Sequence, residues 1–379
     1  QRSRLVEELI WQEEQARGQR LSLGREPLRT AALDVRPPVR VRKVVPKNPG
    51  YPGAKAASLK HPLSATRLDA YLTCPLRYYY ERLCAIAPID EVNEDDNPAA
   101  VGVLLHNVLR DFYAPAVGKT VRRDAQSGDP ELPFLDEKAL RALFRTALDA
   151  SGLEAALPPE SAAMLSVTGP ERLGMFLRAQ PEQTEVLSLE EEYDAEIRVG
   201  GRIRRLTGNL DRVDWREQED PNGSIDEGAD AILRLQDGTA SQGAVHPDIW
   251  ADDAFWDALD PEKAAEAASE PDPEHDFFAK MAQRIPTVQL LYYCYLYGQA
   301  TGKPVLDAAF VALGEDGGGG PFFGKGMTIE ERERALSLIP RLIGFILLHM
   351  ELCPEFRPRE GAHCRWCSWR NVCIISSQQ

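Results

Sequence analysis

The chain has 379 residues, of which 43% are hydrophobic, and a formal net charge of −15 at pH 7. This length allows one large domain or two, with enough apolar residues for a sizeable core. The acidic balance argues against indiscriminate nucleic-acid binding, because Lys and Arg hold phosphates. No signal-peptide pattern opens the chain and no apolar run is long enough to cross a bilayer, so we expect a cytoplasmic protein without a membrane contact.

The N-terminal part predicts a helix followed by an extended connector. Residues 1–18 have helical spacing of apolar side chains. Residues 36–60 contain seven Lys or Arg residues and five prolines but no acidic residue. Prolines at this density favour an extended chain, so we place the domain boundary here, with a connector over residues 1–60 and the main domain over residues 61–379. Because the chain begins at Gln1, we expect a fragment of a longer polypeptide.

The main domain mixes helical and strand patterns. Ser64 is the expected N-cap of a helix that Cys74-Pro75 interrupts. Two strand patterns meet at Gly200-Gly201, which predicts a hairpin. The remaining helices are predicted over residues 101–113, 136–180, 285–297 and 329–352, and the strands over residues 185–199, 202–215, 229–235 and 305–313. This order indicates an α/β or α+β domain with a helical insertion.

Four of the seven cysteines have a spacing that suits a metal centre. Cys364, Cys367 and Cys373 form a C-x2-C-x5-C run, and Cys74 stands far upstream before a proline. C-x2-C brings two thiolates close enough to share a metal, and three clustered ligands require a fourth. Four thiolates hold either tetrahedral zinc or an iron–sulfur cluster, and the spacing does not separate the two. The other cysteines have apolar neighbours and are expected to be buried thiols: Cys84, Cys294 and Cys353.

Five motifs follow one another from Ser64 to Cys373. They are Ser64-Ala65-Thr66-x-Leu68-x-x-Tyr71-x-x-Cys74-Pro75, Gly102-x-x-x-His106, Gly208-Asn209-Leu210-Asp211-Arg212-Val213-Asp214, Gln289-x-x-x-Tyr293, and Cys364-x-x-Cys367 with Cys373. Their order resembles the iron–sulfur-containing PD-(D/E)xK nucleases of the RecB type, most closely the C-terminal nuclease domain of AddB-type helicase–nuclease subunits.

This resemblance implies a fold, a cofactor and partners. The fold is a restriction-endonuclease-like central mixed sheet flanked by helices. The cofactor is a [4Fe–4S] cluster on Cys74, Cys364, Cys367 and Cys373 that joins the N- and C-terminal ends of the domain, with zinc as the alternative. The partners are DNA and a helicase–nuclease partner subunit, and residues 1–60 would connect to an upstream helicase-like region.

The resemblance also implies a nuclease site at His106, Asp211, Gln289 and Tyr293. In such sites carboxylates hold a divalent ion, the ion activates a water, and a lysine assists. Oxygen ligands suit Mg or Mn, so Asp211 and His106 are the expected metal ligands. Gln289 and Tyr293, one helical turn apart, line the active site in the family, although such a pair also suits a buried polar pocket.

Two site positions depart from the family's pattern. Its strand ending in Asp-Tyr-Lys-Thr-Gly corresponds to residues 232–238, where Arg234 stands at the carboxylate position and Gln236 at the lysine position. A guanidinium repels a metal ion, and Gln236 carries no charge and takes no proton. We therefore expect His106, Asp211 and the Gln-Tyr pair to be vestigial.

Ordinary structural roles exist for two of these positions, and a further acidic position is left open. His106 on an apolar helix face is typical of a core histidine, and Asp211 beside Arg212 is typical of a cross-strand ion pair. Glu190 fits the family's upstream acidic position, but its acidic neighbours Glu191 and Glu192 leave the assignment open.

Three functions remain open. The first is a non-catalytic nuclease-fold module of a DNA-repair and recombination helicase–nuclease, which binds DNA through basic residues at 198–205 and 357–370 while a partner cuts. The second is an active divalent-metal-dependent DNA exonuclease with a rearranged site. The third is a zinc-stapled interaction domain unrelated to DNA.

Overall fold

A computed structural model describes residues 4–21, 45–46, 62–86, 98–126, 129, 131–219, 225–236, 247–260, 263–264, 277–312, 322–323, 327–370 and 373. The chain divides into two compact units, residues 1–41 and 42–379. The smaller unit contains helix α1 (Arg4–Arg17), where the sequence predicts a helix. The predicted boundary at residue 60 lies outside the described residues.

A five-stranded sheet forms the centre of the larger unit. Its strands, in spatial order, are β2 (Lys119–Arg122), β3 (Gln183–Val199), β4 (Arg202–Glu219), β5 (Ile225–Gln236) and β6 (Val305–Ala312). Neighbouring strands are antiparallel except β5 and β6, which are parallel, so the predicted mixed sheet is confirmed. The hairpin at Gly200 and Gly201 is also confirmed. Their φ angles of 55° and 73° are the left-handed values that a tight two-residue hairpin turn requires.

A short second sheet joins distant parts of the larger unit. Strand β1 (Val45–Pro46) pairs antiparallel with β7 (Glu355–Phe356). Residue Leu63 forms an isolated bridge with Leu206 of β4, so the start of the domain also rests on the central sheet.

Ten further α-helices lie around the sheet within the described part of the larger unit. They are α2 (Ala65–Thr73), α3 (Pro75–Tyr78), α4 (Pro98–Tyr113), α5 (Glu137–Ser151), α6 (Leu153–Ala156), α7 (Pro159–Ala179), α8 (Asp253–Ala258), α9 (Phe277–Arg284), α10 (Gln289–Thr301) and α11 (Ile329–Leu352). Helices α5 to α7 lie between β2 and β3 in the chain and form the predicted helical insertion.

The helix expected over residues 285–297 instead begins at Gln289. Pro286 disfavours a helical conformation at Ile285, so α9 ends at Arg284. Helix α10 then starts where the Asp69 carboxylate accepts a hydrogen bond from the Val288 backbone N–H, at 2.7 Å. The Asp69 carboxylate therefore acts as an N-terminal cap supplied by another helix.

Two buried clusters pack the helices on the sheet. One combines α2, α3, α10 and α11 with apolar side chains of β3 and β4. The other combines α4, α5 and α7 with Val186 of β3 and Val311 of β6. Helix α11 is long and apolar enough to cross a membrane by length and composition, but it belongs to the first cluster, where Ile339, Leu342 and Phe345 are fully buried.

Candidate metal site and cysteine pocket

Three side chains from three elements converge beside the central sheet: His106 of α4, Glu190 of β3 and Asp211 of β4. One ligand atom from each lies within 4.8 Å of the others. Nε2 of His106 is 2.5 Å from Oε1 of Glu190, and Nδ1 of His106 is 3.8 Å from Oδ2 of Asp211. The three side chains are 23%, 25% and 19% exposed, so they are reachable from solvent but shielded on most sides. An imidazole and two carboxylates in this arrangement suit Mg or Mn, although imidazole also suits other divalent ions.

The strand register brings Glu190 to this group. Leu189 pairs with Arg212 and Glu191 with Leu210, so Glu190 lies opposite Asp211. A register shift between Val186 and Ser188 precedes this pairing. Glu190 itself has a φ of 50°, in the left-handed region that few non-glycine residues adopt.

The neighbouring glutamates have other partners. Glu191 accepts a hydrogen bond from the Tyr193 hydroxyl at 2.6 Å, and Glu192 accepts one from the Thr207 hydroxyl at 3.1 Å. The second carboxylate oxygen of Glu190 accepts from Asn209 Nδ2 at 3.0 Å. The sequence does not distinguish the three glutamates, but their contacts do. Glu190 is the one beside His106.

Arg212 forms an ion pair with Asp214 rather than acting as the counter-ion of the metal-site aspartate. Its Nε lies 2.9 Å from Oδ1 and its Nη2 lies 2.5 Å from Oδ2 of Asp214, and both residues are buried. Arg212 Nη2 also donates to Gln180, and the guanidinium lies 4.3 Å from the ring centre of Tyr113. Burial alone would lower the pKa of Arg212, but its interactions with Asp214 and Tyr113 together outweigh burial and the pKa is raised. Arg212 is therefore a permanent buried cation in a structural pair.

Helix α10 carries the other two predicted site residues. Gln289 is its first residue, and the Tyr293 ring packs on Gly208 of β4. A Cβ at Gly208 would lie 2.6 Å from Cε1 of Tyr293, so only glycine fits there without displacement. This contact is three residues before Asp211 on the same strand. Helix α10 thus supports the strand of the metal site, while Gln289 and Tyr293 are not members of the three-residue group.

The two departures from the family's pattern lie on β5. Arg234 and Gln236 both fall within this strand, and Gln236 pairs through its backbone with Ala312 of β6. Strand β5 also pairs with β4, the strand of Asp211, through Ile232 and Arg212. The side chains of Arg234 and Gln236 lie outside the described part of the structure.

Comparison with known families adds to this geometry. Residues 62–224 match the family model of the PD-(D/E)XK nuclease superfamily. This part of the chain is a PD-(D/E)XK nuclease-like domain. The matched segment includes Cys74 and all three residues of the candidate metal site, and it ends before β5. No curated protein matches the chain.

Beyond its metal-site residues, the nuclease-like domain contributes to a pocket that contains the four predicted cysteine ligands. The pocket lining combines thiols, cationic side chains and aromatic rings: Cys74, Leu76, Arg77, Tyr80, Arg359, His363, Cys364, Cys367, Trp369, Arg370 and Cys373. Burial raises the pKa of the Cys364 thiol, and the nearby Cys74 and Cys367 raise it further. All four cysteines line this one pocket, and that they share a metal centre stays a prediction.

Backbone contacts hold the two halves of this pocket together. The Leu76 N–H donates to the Arg357 carbonyl at 3.2 Å, and the Arg359 N–H lies 3.4 Å from Sγ of Cys74. Arg359 Nε donates to the Thr73 carbonyl at 2.8 Å, next to the helix end at Cys74. The cysteine pocket is thus built from residues 285 positions apart in the chain.

The predicted basic track is partly neutralised. Arg202 and Arg204 both pair with Glu351 at the end of α11. Arg198 and Arg205 are exposed. At the other predicted segment, Arg357 pairs with Glu355, whereas Arg365 and Arg370 are exposed.

Proposed function

We propose that this chain is the nuclease-like module of a cytoplasmic DNA-repair helicase–nuclease, that it binds DNA and a divalent ion, and that it does not cut DNA by itself. The convergence of His106, Glu190 and Asp211 carries the proposal. Two carboxylates on adjacent strands and an imidazole supply three ligands for one ion. The RecB-like and AddB-like motif order supports the helicase–nuclease context and a partner subunit that cuts.

The absence of the family's lysine supports a holding role rather than cutting. Glu190 supplies a second carboxylate beside Asp211, but the sequence of the strand that carries Gln236 contains no lysine. The sequence has no lysine between Thr207 and Pro261. Phosphodiester cleavage builds negative charge in its transition state, and fixed cations that stabilise this charge usually contribute most to the rate. A metal held without that cation binds a phosphate better than it hydrolyses one.

An active exonuclease is the second candidate, and the position of Glu190 favours it. If the ion alone neutralises the developing charge, three ligands suffice for slow cutting. The two candidates share the metal and differ in the reaction.

Metal titration and a nuclease assay test these proposals. We expect Mn to bind the wild type, and Glu190→Gln to weaken binding about tenfold or more, because it removes one charged ligand. Glu192→Gln is the matched control, since Glu192 lies two residues along the same strand and bonds Thr207. Unchanged Mn affinity in Glu190→Gln would remove the proposed site.

In the nuclease assay we expect no metal-dependent cutting of single- or double-stranded DNA. Cutting that Asp211→Ala abolishes would instead establish the exonuclease. The double change Arg234→Asp with Gln236→Lys restores the family's residues and should raise cutting above the wild-type level.

We also propose a [4Fe–4S] cluster at Cys74, Cys364, Cys367 and Cys373, with zinc as the alternative. The shared pocket supports one centre with four thiolates. Among the residues that the structure describes, no three cysteine sulfurs lie within 4.8 Å of one another, whereas the ligand atoms of His106, Glu190 and Asp211 do. A tetrahedral site with Zn–S bonds of about 2.3 Å needs sulfurs roughly 3.8 Å apart. A cluster whose irons each take one thiolate accepts wider spacing. Such a cluster would supply a structural link between the ends of the domain.

A further inference from the structure

Two tryptophans of the C-terminal cysteine loop have opposite environments. Trp369 stacks on Tyr80 with ring centres 5.0 Å apart, and its Nε1 donates to Glu81 at 3.1 Å. Trp366 is 87% exposed, more than any other large hydrophobic residue among those that the structure describes as exposed. The first ring holds the loop in place, whereas the second presents nearly its whole surface to solvent.

The backbone at Trp366 belongs to a hydrogen-bonded turn, although the side chain is exposed. It ends the 3₁₀ helix Ala362–Trp366, between Cys364 and Cys367. The Cys364 N–H donates to the Gly361 carbonyl at 3.0 Å and the Cys367 N–H to the Cys364 carbonyl at 3.4 Å. A ring on a short, hydrogen-bonded turn loses little conformational entropy when it binds a partner.

The charge around Trp366 is positive, although the whole chain is acidic. Arg365 precedes it and Arg370 follows it, and both are exposed. An exposed aromatic face beside arginines matches a flat, π-rich partner with attached phosphates.

We propose that Trp366 stacks on an unpaired base of single-stranded DNA, with Arg365 and Arg370 contacting the adjacent phosphates. The inference rests on the proposed DNA function of the nuclease-like domain and adds the strand state and the contact residue. An unpaired strand is required because base faces are accessible for stacking only outside the duplex. Stacking of this kind tolerates any base sequence, since every base has a π-face.

Equilibrium binding of labelled DNA to the full chain tests the stacking contact. The probes are a single-stranded oligonucleotide of roughly 16 nucleotides and an abasic strand of the same length. We expect Trp366→Ala to weaken binding of the normal strand about five- to a hundredfold and to leave binding of the abasic strand unchanged. Trp366→Phe, which keeps an aromatic face, should recover most of the affinity. Trp11→Ala is the control, because Trp11 is 59% exposed but lies in the smaller unit.

The phosphate contacts have a separate signature. Arg365→Ala should weaken binding of both strands and reduce the salt dependence between roughly 50 and 200 mM salt, since one counterion fewer is released. Iron content and circular dichroism of each variant establish that the loop is intact.

The outcomes separate the inference from the proposed function. If Trp366→Ala binds the normal strand as the wild type does, or loses equal affinity for the abasic strand, the stacking contact is wrong and Trp366 faces a protein partner or nothing. If the wild type binds neither strand at low salt, the DNA function is wrong and the stacking contact with it.

Discussion

Glu190 owes its place beside His106 to an unfavourable backbone conformation. A left-handed φ costs a non-glycine residue about 1 kcal/mol or more, and it persists where the surroundings hold it. Here the surroundings are a hydrogen bond from Asn209 and the contact with His106. Strain kept at a cluster of possible ligands is consistent with a functional residue rather than a surface acid.

Asp69 gives a residue-scale prediction of pH dependence. Burial raises the pKa of this carboxyl from 3.8 to about 6, against the opposing hydrogen bonds from Thr287 and Val288. Between these values the folded protein binds a proton that the unfolded chain does not. The free energy of unfolding should therefore fall as pH rises through this window, by about 2 to 3 kcal/mol.

Urea unfolding from about pH 4 to pH 7 measures this effect. Asp69→Asn keeps an acceptor oxygen for the cap of α10 but never ionises. Its free energy of unfolding, relative to that of the wild type, should therefore increase as pH rises. Asp149→Asn, at an exposed position of α5, should follow the wild-type curve. Parallel curves for wild type and Asp69→Asn would contradict the prediction.

Sequence singles out His106 and Asp211 but leaves the third member of the group open among three glutamates. Both belong to motifs with a glycine at a fixed distance, whereas Glu190 is one of three consecutive glutamates. The register shift near Ser188 decides which glutamate faces Asp211, and such a shift depends on tertiary packing rather than on local residue type. The ordinary role considered for Asp211 was an ion pair with Arg212, but Arg212 pairs instead with Asp214, two residues along the same strand.

At the scale of elements, the sequence predicts the helices and turns whose ends are set by neighbouring residues. It does not predict the ends that depend on contacts with distant parts of the chain. The hairpin at Gly200-Gly201 and helix α11 follow from turn residues and from the Thr328 capping box. The start of α10 does not, because its cap is the carboxylate of Asp69, more than 200 residues upstream. Strand β5 is longer than predicted because its N-terminal half is acidic yet pairs with β4.

Gly208 tests how closely β4 must approach α10. Gly208→Ala places a methyl group 2.6 Å from the Tyr293 ring and 3.0 Å from Leu296, so one element must move. We expect a loss of about 1–3 kcal/mol in the free energy of unfolding and weaker Mn binding, since Asp211 moves with the strand. Urea unfolding and metal titration measure the two effects.

Gly102→Ala is the matched control for this substitution. Gly102 lies inside α4, one turn before His106, and an added Cβ would meet nothing within 4 Å. Alanine should stabilise the helix by about 0.5–1 kcal/mol. Equal stability of the two variants would show that the contact between Gly208 and Tyr293 does not limit the packing.

On the scale of the whole larger unit, its early and late segments meet repeatedly. Strand β1 pairs with β7, and the Leu76 N–H donates to the Arg357 carbonyl. The Tyr71 hydroxyl of α2 lies 3.0 Å from Nδ1 of His349 in α11. These contacts bring the two halves of the cysteine pocket together. Closing so long a segment of chain costs entropy in folding, and a covalent link across it removes that freedom from the unfolded state.

Cys74→Ala tests whether a metal centre provides that link. Loss of this ligand should abolish most of the iron and its visible absorption, and should lower Tm by roughly 5–10 °C, because the unfolded chain regains the freedom that the cluster removed. Cys84→Ala is the control, since Cys84 is half-buried ten residues away and does not line the pocket, and it should keep both iron content and Tm. Zinc in place of iron in anaerobically purified protein would favour the tetrahedral alternative. Full iron content and unchanged Tm in Cys74→Ala would rule out Cys74 as the fourth ligand, and the cluster would then not link the two ends of the domain through this residue.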